Sequence, residues 1–299
     1  MPAVLTMGSL NVDHILTVAT LPVPGETVLS RSYRVVAGGK GRNQAVAVAA
    51  LGGRAALAGA VGADSSGEWL RSGLLADGVD DSLLVTIPGE PTGLAQITVD
   101  ASGENTIVVH PGANGRVGPL DADHVELTAW QVLLCSLEIP VESVAESVAA
   151  ARASGVRTVV NAAPMVGAGD GRLEAVLAHT DVLVVNRSEA LDLVDPPAGV
   201  GLMVALKGCV TAGRPDTVVT LGAGGALLVS PDGVTSFPAH PVGVSSTVGA
   251  GDTFAGALSL GLAAGRGLAD AVGYATAAAA AYLSGDLCEA AVAALLTGG

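Results

Sequence analysis

Short apolar runs alternate with segments of helical period along most of the chain, and this alternation limits the fold more than any other feature. The runs fall at residues 3–8, 55–61, 132–135, 158–160, 182–185, 217–221 and 226–229. The helix-period segments fall at 44–51, 67–76, 141–153, 171–178 and 200–212. Strands separated by helices of this length join through right-handed crossovers, which build a mostly parallel sheet covered on both faces. The expected class is therefore a Rossmann-like α/β fold. The last third differs: 252–264 and 268–283 read as Ala-rich helices with no strand between them.

Two stretches, 14–36 and 82–110, break the rhythm with short alternating runs punctuated by Pro and Gly. They read as antiparallel strands added to the main sheet, with Asp100-Ala101-Ser102-Gly103 as a hairpin turn. With no repeat and no Pro-, Ser- or charge-rich linker, 1–299 reads as a single domain. The two insertions would form a small β-subdomain, placed as a lid or an interface.

Composition narrows the partners. Lys+Arg total 14 and Asp+Glu 28, a net charge of −14, which repels phosphate polymers and anionic lipid. Aromatics are 2% of the chain, so there are no platforms for stacking bases. Neither nucleic acid nor membrane is expected as a partner. Cys135, Cys209 and Cys288 form no pair at metal or redox spacing and read as reduced, buried thiols of a cytoplasmic protein. Met1-Pro2-Ala3-Val4 lacks a basic signal-peptide start, and the apolar run 271–283 is shorter than the ~20 residues a spanning helix needs.

Ligands of open α/β sheets bind beyond the carboxyl ends of the strands. No stretch satisfies G-x-G-x-x-G, since Leu227 stands where Gly222-Ala223-Gly224-Gly225 would need a third glycine. Gly39-Lys40 is followed by Gly41, which excludes a Walker A loop. The strongest constellation is Gly249-Ala250-Gly251-Asp252, directly before a helical run. Bare amides at a helix start make an anion site. A lone Asp there is ordinarily a first-turn acid. Beside a bound phosphate it is also the group needed to take a proton from an attacking hydroxyl.

The second constellation is Gly38-Gly39-Lys40-Gly41-Arg42-Asn43. Only Lys40 and Lys207 are lysines, against twelve arginines, so a lysine kept between glycines suggests a required compact ammonium. Asp13, Glu138, Asn186 and Glu189 each stand just past a strand-like run and so share one rim.

In these motifs, and in Asn11-Val12-Asp13, Gly112-Ala113-Asn114 and Thr220 to Gly225, the chain resembles the ribokinase family of carbohydrate kinases (the PfkB superfamily) from Val4 to about Ala281. The resemblance implies phosphoryl transfer from ATP to a sugar hydroxyl. Asp252 would be the base, and the Gly249, Ala250 and Gly251 amides the anion hole. Asp13, Gly39, Lys40, Asn43, Glu138 and Asp252 would bind the sugar. Asn186, Thr220, Gly222, Gly225, Gly251 and Thr276 would bind the nucleotide. Asn186 and Glu189 would hold Mg²⁺ through water. The family also implies a homodimer through the lid sheet. The segments 22–27 and 110–114 look most like members that phosphorylate the 5-hydroxyl of D-ribose; 2-deoxyribose, fructose and nucleosides are the alternative acceptors. A non-catalytic sugar or nucleotide sensor would be expected to lose Asp252 or the anion loop, and neither is lost.

Several positions depart from the pattern. Ser246 replaces a carboxylate of the monovalent cation site that the resemblance assigns to Ser246 and Val248, so only weak K⁺ dependence is expected. Thr276 stands where members often carry Asn or His near adenine. Arg42 replaces a small residue and reads as a solvated helix position.

Overall fold

The computed structural model describes residues 1–121, 124–165, 171–196, 199–243 and 248–297. The chain opens with β1 (Ala3–Met7), β2 (Asn11–Thr17), β3 (Ser32–Gly38), α1 (Lys40–Ala50), β4 (Arg54–Gly62) and α2 (Ser65–Ala76). Next come β5 (Val79–Asp80), β6 (Leu84–Ile87), β7 (Gly93–Val99), β8 (Asn105–His110), β9 (Val132–Ser136), α3 (Val141–Ala153) and β10 (Arg157–Asn161). Then follow α4 (Gly171–Leu177), β11 (Val182–Asn186), α5 (Arg187–Val194), α6 (Leu202–Thr211), β12 (Asp216–Thr220), β13 (Ala226–Ser230) and β14 (Gly233–Phe237). Three helices close the chain: α7 (Ala250–Ala263), α8 (Leu268–Leu283) and α9 (Glu289–Thr297).

Among the described residues ten strands form the main sheet, in the order β14-β13-β12-β11-β10-β9-β1-β4-β5 with β6 also paired to β4. All its pairs are parallel except β12–β13 and β13–β14. Its central strands are buried on both faces, as continuous Val and Leu runs require. On β9, Val132 and Leu134 join the core under α1, α7 and α8, while Leu133 and Cys135 join the core under α3, α4 and α6. Every residue from Asp252 to Leu262 of α7 is buried. The Ala and Gly content of α7 makes this possible by letting backbones approach closely. A Cβ at Gly256 would lie 2.6 Å from the Gln44 carbonyl oxygen of α1.

The insertions form the expected small β-sheet, which stands as a sheet of its own rather than as strands added to the main one, in the order β3-β2-β7-β8. The β2–β3 and β7–β8 pairs are antiparallel hairpins, whereas the central β2–β7 pair is parallel. The reason lies between them in the chain: α1, β4 and α2 supply a full crossover, which parallel pairing needs. The 82–110 stretch is also divided, since β6 belongs to the main sheet. The turn falls where expected, with Asp100 Oδ1 accepting from the Ser102 amide at 2.8 Å. Of the cysteines, Cys135 is buried but Cys209 and Cys288 are only half-buried.

Candidate active site

Helix α7 begins on Gly249, at φ 87° in the left-handed region, without a side-chain cap. Its first internal bond runs from the Thr253 amide to the Gly249 carbonyl at 2.9 Å. Among the described residues, the Ala250 and Gly251 amides have no partner. Asp252 follows them, 8% exposed, and its Oδ2 accepts from Asn43 Nδ2 at 3.0 Å. Burial pushes its carboxyl above the usual range. The Lys40 charge and the Asn43 hydrogen bond oppose that rise, and Glu138 adds to it. The Gln44 amide also favours the charged form, although neither of its polar atoms closes a hydrogen bond of good geometry.

Helix α1 meets α7 at this point. It also begins on a left-handed glycine, Gly39 at φ 92°. Here two of the amides are filled: Lys40 N–H donates to Glu138 Oε2 at 3.2 Å and Arg42 N–H to the Ser9 carbonyl at 3.0 Å. Ser9 Oγ donates to the same Glu138 oxygen at 2.5 Å. Asp13 stands close by, but on the second sheet inside β2 rather than in a loop past β1. That placement corrects the shared-rim reading for this residue: only three residues separate the end of β1 from the start of β2. Burial, then Glu138 and Asp252, push the Asp13 carboxyl up to about 7, while Arg42 pulls it down. Its Oδ1 is buried with no hydrogen bond among the described residues. Asp13, Glu138 and Asp252 are thus three carboxylates in one electrostatic cluster, with Lys40 acting on Asp252.

A cavity of about 600 Å³ opens on the other side of the α7 start. It contains all six residues singled out for the nucleotide: Asn186, Thr220, Gly222, Gly225, Gly251 and Thr276. Gly222 and Gly225 turn the chain after β12 at φ 55° and 83°, and a Cβ on Gly225 would lie 2.1 Å from the Phe237 carbonyl oxygen. Thr276 Oγ1 donates to the Val272 carbonyl at 2.9 Å. The remaining wall is apolar and includes Phe254, Ala279, Ala280 and Leu283, closed by 239–242. The 239–242 segment was not legible in the sequence, because it is carried by β14, a strand without a strong apolar run. Asn114 was also missed as a support: its side chain accepts from the Leu10 amide and donates to Asn11 Oδ1, bracing the turn between β1 and β2.

Asn186 and Glu189 form a capping box on α5: the Glu189 amide donates to Asn186 Oδ1 at 2.9 Å, and the Asn186 amide to Glu189 Oε2 at 2.7 Å. Burial raises the Glu189 carboxyl, and the Asn186 amide and Lys40 lower it. Arg42 is not solvated. It pairs with Asp77 at 2.6 Å, with 15% of its side chain exposed. Ser246 lies outside the described residues. The Val248 carbonyl accepts from Tyr282 Oη at 2.9 Å.

A bare-amide helix start, a buried carboxylate on it and a cavity behind it form the frame of a phosphotransferase. Residues 1–292 match the pfkB family of carbohydrate kinases. The chain belongs to that family. It is 32% identical over 281 residues to the ribokinase of Haemophilus influenzae, covering 92% of this chain and 90% of that one. It is 34% identical over 264 residues to the bifunctional ribokinase/ribose-5-phosphate isomerase A of Fructilactobacillus sanfranciscensis, covering 87% of this chain but spanning 48% of that longer protein. Its fold superposes on the ribokinase of Arabidopsis thaliana complexed with ribose and ATP with a TM-score of 0.87, at 27% identity and 99% coverage of both chains. The pfkB assignment bears out the expected α/β class. Among the described residues no helix is long and apolar enough to cross a membrane.

Proposed function

We propose that this pfkB-family chain is an ATP-dependent ribokinase, moving the γ-phosphoryl of ATP to the 5-hydroxyl of D-ribose in the cytoplasm. The observation that carries the reading is the position of Asp252. It sits at the first turn of α7, between the amides that border the 600 Å³ cavity and the Asp13–Glu138 carboxylate pair. Nucleotide on one side and sugar on the other would place the acceptor hydroxyl and the γ-phosphate on either side of one carboxylate.

In this reading Asn43 holds Asp252 Oδ2, and the carboxylate takes the proton of the attacking hydroxyl. A carboxyl raised by burial is a better proton acceptor than one in water. The Ala250 and Gly251 amides, with Gly249, meet the charge that develops on the transferred group. Asp13 and Glu138 accept from sugar hydroxyls, while Lys40 and Asn43 donate, beside the Gly39 turn. Thr220, Gly222, Gly225 and Thr276 line the nucleotide.

Mg²⁺ fits the site through water. Among the described residues no group of three His, Cys, Asp or Glu side chains is placed to hold a metal ion directly. Glu189 keeps Oε1 outside its capping box, and the Asn186 carboxamide oxygen keeps a second lone pair. Such an outer-sphere pair suits an ion that dehydrates reluctantly and binds through phosphates. The metal would neutralise phosphate charge. The second sheet supports a homodimer: its edge strand β8 leaves Ile107, Val108 and Val109 exposed at 54%, 70% and 46%, and a bare apolar edge is ordinarily covered.

The test is ADP release with Mg-ATP across ribose, 2-deoxyribose, fructose, adenosine and no sugar. Selective turnover with ribose is expected. Turnover with another acceptor would retain the mechanism and replace the substrate.

A further inference from the structure

The residues beside the anion loop do not fit the monovalent cation that the family resemblance places there. Ser246 brings no charge to the loop. The Val248 carbonyl, the other ligand that resemblance assigns, already accepts a hydrogen bond from Tyr282 Oη at 2.9 Å. Tyr282 stands in the last turn of α8, next to Leu283, which lines the nucleotide cavity. Its phenol also lies against Gly249. A Cβ there would come within 2.6 Å of Tyr282 Oη and 3.1 Å of Cζ, and the φ of 87° independently favours glycine. One side chain therefore grips the peptide between Val248 and Gly249, immediately before the amides of the cradle. A cation would grip the same carbonyl only while present in solution, whereas the phenol is attached to a helix that also forms the cavity wall.

We infer that Tyr282 is a positioning residue that fixes the Val248–Gly249 peptide in place of a monovalent cation, keeping the Ala250 and Gly251 amides aimed at the γ-phosphate of a bound nucleoside triphosphate without K⁺. The inference rests on the kinase reading above. Burial and the Asp252 charge hold the phenol above its ordinary range, with Arg42 opposing, so it remains a donor throughout the neutral range.

The test is calorimetric binding of ADP and of the imido analogue of ATP to wild type and Tyr282→Phe, in buffer free of sodium and potassium and again with potassium chloride added. The variant keeps the ring and loses one hydrogen bond. Its affinity for the imido analogue is expected to fall about fivefold to tenfold, as for one net hydrogen bond. ADP affinity should be unchanged, and neither the variant nor wild type should respond more than slightly to K⁺, because Ser246 brings no charge to hold it. Equal weakening of ADP and the analogue would reduce Tyr282 to a general structural role and overturn the inference. So would an unchanged variant, or a wild type that needs K⁺. If wild type binds neither nucleotide, the kinase reading itself fails, and the inference fails with it.

Discussion

Helices α1 and α7 start alike and finish differently. Both begin on a left-handed glycine without a side-chain cap, and they pack against each other. In α1 the Lys40 and Arg42 amides are satisfied from within by Glu138 and the Ser9 carbonyl. In α7 the Ala250 and Gly251 amides have no partner among the described residues. Unsatisfied helix starts are completed by water or by ligands. The difference teaches that a glycine-opened helix is not by itself an anion site. One here is a joint filled at Lys40 and Arg42 that presents the Lys40 and Asn43 side chains, and the other presents backbone.

The two glycines break this comparison most sharply. A Cβ on Gly39 would meet backbone, with Leu10 Cα and the Ser9 carbonyl oxygen both at 2.7 Å, whereas on Gly249 it would meet the Tyr282 side chain. Gly39→Ala should cost about 2–5 kcal/mol, combining left-handed strain with overpacking, as read by denaturant unfolding. Gly249→Ala should cost only about 1–2 kcal/mol of stability and still lower turnover by about tenfold or more. Equal effects on folding would erase the distinction.

Asn43→Ala comes next. It removes the hydrogen bond that orients Asp252, and a bond to a charged group is worth about 1.5–3 kcal/mol. Turnover should fall by about tenfold to a hundredfold, with ATP KM little changed.

Asp13 sharpens the acceptor side through pH. Its carboxyl titrates at about 7 when folded, against 3.8 ordinarily. Across that window the folded state holds a proton that the unfolded chain has released. Asp13 therefore lowers stability progressively as pH rises from 3.8 to about 7, fully so above it. Asp13→Asn should abolish that slope in thermal unfolding profiles, and parallel profiles for the two proteins would refute the assignment. The smallest effect should come from Arg42→Ala. A partly exposed ion pair with Asp77 is worth about 1 kcal/mol or less, measured in the same experiment.

Much of this was legible in the sequence for a physical reason. Strands buried on both faces read as apolar runs, so β1, β4 and β9 to β13 were located. The motifs of the site also sit on short local turns, so Gly249 to Asp252 and Gly39 to Asn43 were visible as units. What was hidden depends on long-range pairing. The parallel β2–β7 register cannot be read from either strand alone, and it is what moves Asp13 off the rim. Helix α5 is not legible as a periodic segment, although Asn186-Arg187-Ser188-Glu189 has the form of a capping box, because its eight residues are too few to show a helical period. The Tyr282–Val248 contact spans 34 residues and has no local signature.

The most direct test of the central claim, that Asp252 is the base between two binding halves, is the steady-state turnover of Asp252→Asn with Mg-ATP and ribose. The side chain keeps its size and its place beside Asn43 but cannot accept the proton. The account predicts a kcat lower by about 10²–10⁴, with ribose and ATP still binding. A variant that retains turnover close to wild type would contradict it.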